Sequence, residues 1–117
     1  DKTAYFSWFD SRVNQTYALS SQVVEKVPKG ERIFVWGDNP NIYALSRRLP
    51  ATRFVVSYHV SERDAYRETL ETLKEMPPRL IIVFENAPSF PDLIAYLEKN
   101  YLYLGNEGNG QIWYQRQ

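Results

Sequence analysis

The chain contains no cysteine, which excludes a disulfide framework, a thiolate nucleophile and a Cys-ligated zinc. That absence says nothing of compartment, since an extracytoplasmic domain can do without disulfides. Histidine occurs once, at His59, so a His-rich metal site is excluded. An excess of either charge is missing too: Lys+Arg 14 balances Asp+Glu 14. Duplex-DNA binders usually carry a basic excess, so nucleic acid is not an expected partner. No run approaches the roughly 18 apolar residues of a membrane span. No Met opens the chain and no signal-peptide pattern leads it. An opening of Asp1-Lys2-Thr3 is what a fragment cut from a longer protein would show.

What is present is a globular composition. The 117 residues are 44% hydrophobic and 15% aromatic, which excludes disorder. A chain of this length forms one domain, here 1–117, and buries about two-thirds of its unfolded surface. Within it, residues 1–28 read as an N-terminal helix, possible as a juxtamembrane segment, and residues 29–117 as a sheet-and-helix body.

Apolar residues Phe6, Phe9, Val13, Tyr17, Val24 and Val27 recur at helical spacing. Pro28 and Gly30 end that helix. Ile33-Phe34-Val35-Trp36 is a short apolar run of the kind buried on both faces of a parallel sheet. Asn39 followed by Pro40 predicts an N-cap and first turn, opening a short helix through Arg48. Arg53–Ser57 reads as a second strand. Ser61 to Asp64 approximates a capping box for a helix packing through Tyr66, Leu70 and Leu73. Pro77-Pro78 stops it. Leu80–Phe84 is a third buried strand. Ser89 and Asp92 open a helix packing through Leu93, Ile94 and Leu97. A hairpin closes the chain, Tyr101–Gly105 and Gln111–Gln115 around a Gly- and Asn-rich loop. Alternating strands and helices imply right-handed crossovers. The predicted fold class is α/β: a three-layer sandwich on a mostly parallel sheet, its order beginning 2-1-3, with the C-terminal hairpin as an antiparallel addition.

Ligands of such sheets bind beyond the carboxyl ends of the strands. There the sequence places Trp36, Gly37, Asp38, Asn39 and Asn41, then Ser57, Tyr58 and His59, then Glu85 and Asn86. The same positions also serve as caps and turns in every such fold. The first turn holds one glycine, so no dinucleotide fingerprint is present. Asp38 lacks an acidic neighbour and Glu85 stands where a receiver domain needs Asp. Asp38 and His59 form a conceivable acid–base pair. Arg47, Arg48 and Arg53 read either as an anion-binding cluster or as a helix end complementing its dipole. Asn14-Gln15-Thr16 fits a glycosylation acceptor but lies within a helix. Tyr5 to Phe9 is dense in the aromatics that favour a membrane–water interface; core packing or a partner contact explains it equally well.

One longer pattern runs through Phe34-Val35-Trp36-Gly37-Asp38-Asn39-Pro40-Asn41-Ile42-Tyr43-Ala44-Leu45-Ser46, then Arg48 to Phe54, Ser57 to Val60, Pro77 to Val83, Tyr101, and Ile112 to Arg116. It resembles the soluble C-terminal domain of polytopic membrane glycosyltransferases, the relatives of dolichyl-phosphate-mannose–protein mannosyltransferases and lipid A aminoarabinose transferases. The resemblance implies a parent enzyme that takes sugar from a polyprenyl-phosphate donor at the extracytoplasmic face of the cell membrane. It carries no catalytic residue into this chain. The implied role is a non-catalytic accessory domain that assists acceptor or donor binding. The implied partners are the membrane-embedded part of the same polypeptide and a sugar or lipid-phosphate ligand. No cofactor, metal ligand or catalytic residue is assigned. The candidate ligand contacts are Trp36, Asp38, Asn41, Tyr43, Arg53, His59 and Glu85. Two other readings stand beside it. One is a small α/β enzyme, a hydrolase or transferase, with its site at the strand ends. The other is a protein-interaction module presenting the first helix or the final hairpin.

Overall fold

The computed structural model describes residues 2–53, 60 and 65–116, with side chains from residue 13 onward. Among these the chain runs α1 (Lys2–Lys26), β1 (Ile33–Trp36), α2 (Asn41–Ser46), α3 (Tyr66–Glu75), β2 (Leu80–Phe84), α4 (Pro91–Asn100), β3 (Tyr101–Glu107) and β4 (Gly110–Gln115).

Every residue of β1 and β2 is buried, as their unbroken apolar sequences require. They pair in parallel from Ile33 opposite Leu80 to Trp36 opposite Val83. Alternate residues then face opposite layers. Ile33, Val35, Leu80 and Ile82 meet Leu19 and Val23 of α1, Val27 just after it, and Ile42 and Tyr43 of α2. Phe34, Trp36, Ile81 and Val83 meet Leu73 of α3 with Leu93 and Leu97 of α4. Leu19, Val23 and Val27 recur every four residues, which gives α1 and the residue after it one buried stripe. Ser20 lies beside that stripe and donates its hydroxyl to the Thr16 carbonyl at 2.8 Å.

The sheet corrects the expected fold class. It is mixed, in the order β1-β2-β4-β3. One described pairing is parallel, whereas β2–β4 and β3–β4 are antiparallel. The mostly parallel sheet with order 2-1-3 is therefore overturned. The cause is in the hairpin. Ile112 and Trp113 are consecutive, face opposite layers and are both buried. That makes β4 an interior strand, seated against β2 from Leu80–Tyr114 to Phe84–Gly110, and among the described residues leaves β3 at the edge. The predicted strand at Arg53–Ser57 lies, beyond Arg53, outside the described residues. The chain just before it makes a single parallel bridge, Pro50 to Ile33.

Local differences have local causes. Asn39 does not cap α2. Its side-chain amide donates to Thr16 Oγ1 at 3.0 Å, and Pro40 takes the cap position. The helix stops at Ser46 rather than Arg48, because Arg47 turns left-handed at φ 57°. A side chain is disfavoured in that conformation. Arg47→Gly is expected to stabilise the fold by about 0.5–1 kcal/mol, read as a higher urea midpoint with unchanged slope.

Candidate functional site

Because β1 and β2 are parallel, Gly37-Asp38-Asn39 and Glu85-Asn86 emerge at the same end of the sheet. β4 runs antiparallel to β2, so the β3–β4 turn returns to that end. The Glu85 amide donates to the Asn109 carbonyl at 2.9 Å. Gly108 takes φ 60° in the turn. Gly37 lies against Phe84 so closely that a Cβ there would meet Phe84 Cδ2 at 2.5 Å.

Carboxamides hold this end together. Gln15 of α1 donates to the Glu107 carbonyl at 3.2 Å and to Asn109 Oδ1. Asn109 Nδ2 donates to Asn86 Oδ1 at 3.3 Å. Asn106 Nδ2 donates to Glu85 Oε1 at 2.8 Å and its Oδ1 accepts from the Tyr103 hydroxyl. Gln22 Nε2 reaches Glu107 Oε2 at 3.2 Å. Amides neither titrate near neutral pH nor attack a carbonyl. The arrangement pins the turn onto α1 and offers hydrogen bonds. Among the described residues, no group of three His, Cys, Asp or Glu side chains is placed to hold a metal ion.

Of the predicted contact residues that the structure describes, Asp38 and Glu85 lie at this end of the sheet, whereas two others are buried. Trp36 is 2% exposed and belongs to the core. Its Nε1 donates to the Pro88 carbonyl at 2.8 Å, and its ring meets Phe90 edge-on at 5.0 Å. Tyr43 is buried as well, and its hydroxyl accepts from the Val35 amide at 2.8 Å. Burial pushes that phenol well above its ordinary range, against the smaller opposing effect of the Val35 bond. Neither ring is open to a ligand. Asp38, Asn41 and Glu85 are exposed. Arg53 forms an exposed ion pair with Glu68, at 2.7 and 3.2 Å; that hydrogen bonding lowers the Glu68 carboxyl and raises the guanidinium. His59 lies outside the described residues, so its pairing with Asp38 has no geometry here. The arginine cluster is divided among separate tasks. Arg48 is buried on backbone carbonyls, Arg53 is ion-paired and Arg47 is exposed.

Sequence reading missed two features. The carboxamides of Gln15, Gln22, Asn106 and Asn109 were legible only as helix and loop residues. The second is on β3: Leu102, Tyr103 and Leu104 are 43%, 51% and 47% exposed, with Tyr103 tilted against Trp113 at 5.2 Å and Leu104 in the bulge. Three large apolar residues beside a Gly-Asn loop were the available signal.

A family model described as "Putative competence-induced protein Ccs4 C-terminal domain" matches residues 14–112. The chain belongs to that family. No curated protein and no solved structure matches. The match to the Ccs4 C-terminal domain family corrects the resemblance drawn above, since no glycosyltransferase family is indicated. Placement in a polytopic membrane protein at the extracytoplasmic face is corrected with it. Among the described residues no helix is long and apolar enough to cross a membrane. The motifs that carried the resemblance have structural explanations instead: Trp36 fills the core, Gly37 admits Phe84, and Arg48 binds the ends of two helices.

Proposed function

We propose that this domain is a non-enzymatic protein-interaction module that docks through its final hairpin. The carrying observation is the outer edge of β3, where Leu102, Tyr103 and Leu104 stand about half exposed on a strand paired only through β4 among the described residues. Such an edge presents unpaired N–H and C=O groups, and natural proteins blunt it with charge, proline or a bulge. Here a bulge lies between Tyr103 and Gly105, yet the centre of the edge carries apolar side chains and no charge. Strand addition to an open edge is a recurring recognition mode, in which backbone bonds supply affinity and alternate side chains supply specificity. The polar groups at the strand ends are largely engaged by one another. The family description, a C-terminal domain of a competence-induced protein, fits a module carried by a longer chain.

A photoreactive residue placed singly at Leu102, Leu104, Asp38 or Glu85 tests the reading in cells expressing the protein. Cross-linked protein adducts are expected from positions 102 and 104 and not from position 38. Adducts confined to positions 38 and 85, or none at all, would overturn it.

A further inference from the structure

We infer that Asn109-Gly110 is a deamidation site, held unreactive in the folded domain by the Gln15 carboxamide. Asn109 is the only asparagine of the chain that glycine follows. In that order the next amide nitrogen reaches the side-chain carbon with no Cβ in its way. The reaction needs nothing but water. The Gly110 nitrogen gives its proton to base and attacks Asn109 Cγ, the side-chain carbon–nitrogen bond breaks, and ammonia leaves. The five-membered imide takes up one water at either carbonyl, giving aspartate or its isomer linked through the side chain. Asn39, by contrast, precedes Pro40, whose nitrogen has no proton to give. The site makes no use of the outer edge of β3, so it is independent of docking there.

The fold withholds both partners of the first step. Gly110 is buried and pairs with Phe84 of β2 on one side and Glu107 of β3 on the other. Gly108 and Asn109 make the two-residue turn between Glu107 and Gly110, with Gly108 at φ 60°, where such a turn favours glycine. Asn109 is held at three atoms. Its carbonyl accepts from the Glu85 amide at 2.9 Å, its Oδ1 accepts from Gln15 Nε2, and its Nδ2 donates to Asn86 Oδ1 at 3.3 Å. The Gln15 carboxamide also donates to the Glu107 carbonyl at 3.2 Å. It lies so close over Gly108 that a Cβ there would meet Gln15 Cδ at 2.7 Å. For Asn109 Cγ to meet the Gly110 nitrogen, the side chain must leave Gln15 and Asn86, and the Gly110 amide must be freed from its strand. Reaction therefore proceeds from the fraction of molecules whose turn has opened. The product alters the turn. Aspartate has no amide to donate to Asn86, and it adds negative charge beside the turn that Glu107 opens. The isomer inserts a backbone carbon into a two-residue turn and breaks its register.

The test follows the peptide carrying Asn109 by mass spectrometry while the purified protein stands in mildly alkaline buffer, with and without urea. Conversion of amide to acid is expected to be fast in urea and slow in the folded parent. Gln15→Glu keeps the size of the side chain and removes both donated bonds. While still folded, it is expected to convert roughly tenfold faster than the folded parent, the change that losing one or two local hydrogen bonds makes in the open population. Arg48→Lys weakens the fold away from this turn and is expected to convert at a rate near the parent's. Melting curves show which variants are folded, and Gln15→Ala carries the same comparison if Gln15→Glu is not. No conversion at Asn109 in urea, or conversion as fast in the folded parent as in urea, overturns the inference. So does a Gln15 variant that converts no faster than the parent, or no faster than Arg48→Lys, because Gln15 would then restrain nothing.

Discussion

Trp36→Ala is expected to lower stability by about 4 kcal/mol, the usual cost of deleting a fully buried indole. The ring is 2% exposed. It lies edge-on to Phe90 at 5.0 Å and tilted against Tyr66 at 5.8 Å, so its removal opens a cavity between the sheet and both helices of that layer. The Pro88 carbonyl, bonded to Nε1 at 2.8 Å, loses its donor at the same time. For a domain of this length the melting temperature falls by roughly 15 °C. Trp36→Phe keeps a ring in place but still strips Pro88 of its donor, and it should lie between the two. An aromatic platform for a sugar would behave differently: its alanine variant melts with the parent and loses only binding. An unchanged melting curve would therefore take the indole out of the core.

Local elements were legible because local physics dictates them. Ile33–Trp36 and Leu80–Phe84 are apolar without interruption, and both are strands with those bounds. Pro77-Pro78 does end α3, whose last helical residue is Glu75. Pro91 takes the first turn of α4, although the cap falls on Phe90 rather than Ser89. Pairing was not legible, because a strand's partner is set by the layers it must bury against and not by its own sequence. Ile112 and Trp113 needed two covered faces, and only a place beside β2 supplies them. Tyr101–Glu107 then had to take the edge.

The polar and aromatic residues near the strand ends were ambiguous for a related reason. A polar residue after a buried strand reads the same whether it meets ligand or neighbour. Asn39 and Glu85 have their partners in Thr16 and Asn106, residues from elements remote in sequence. Trp36 and Tyr43 are large, amphipathic and near a turn, the profile of a ligand contact. Each instead gives its polar atom to a backbone group, the Pro88 carbonyl for Trp36 and the buried Val35 amide for Tyr43. Sequence alone cannot tell an aromatic that needs a partner from one that offers itself to a ligand.

Arg48 carries the same lesson into the helix ends. Arg48→Met is expected to cost about 3 kcal/mol, since two buried carbonyls lose charged donors together. The guanidinium is 6% exposed and its bonds go to backbone. Nε and Nη2 donate to the Val27 carbonyl at 3.1 and 2.6 Å, and Nη1 donates to the Ser46 carbonyl at 2.8 Å. Val27 directly follows α1, and Ser46 is the last residue of α2. The cation therefore sits where both helix dipoles are negative and clamps the two ends with one rigid fork. Lysine has neither the fork nor the reach to serve both carbonyls, so Arg48→Lys should recover only part of the loss, at about 2 kcal/mol below the parent. Burial shields the contact from salt, and both differences should persist when ionic strength is raised. Urea midpoints at low and high salt read all of this. A methionine variant as stable as the parent would show that the clamp contributes nothing. A loss that fades in high salt would mean the guanidinium acts by surface charge rather than by these three bonds.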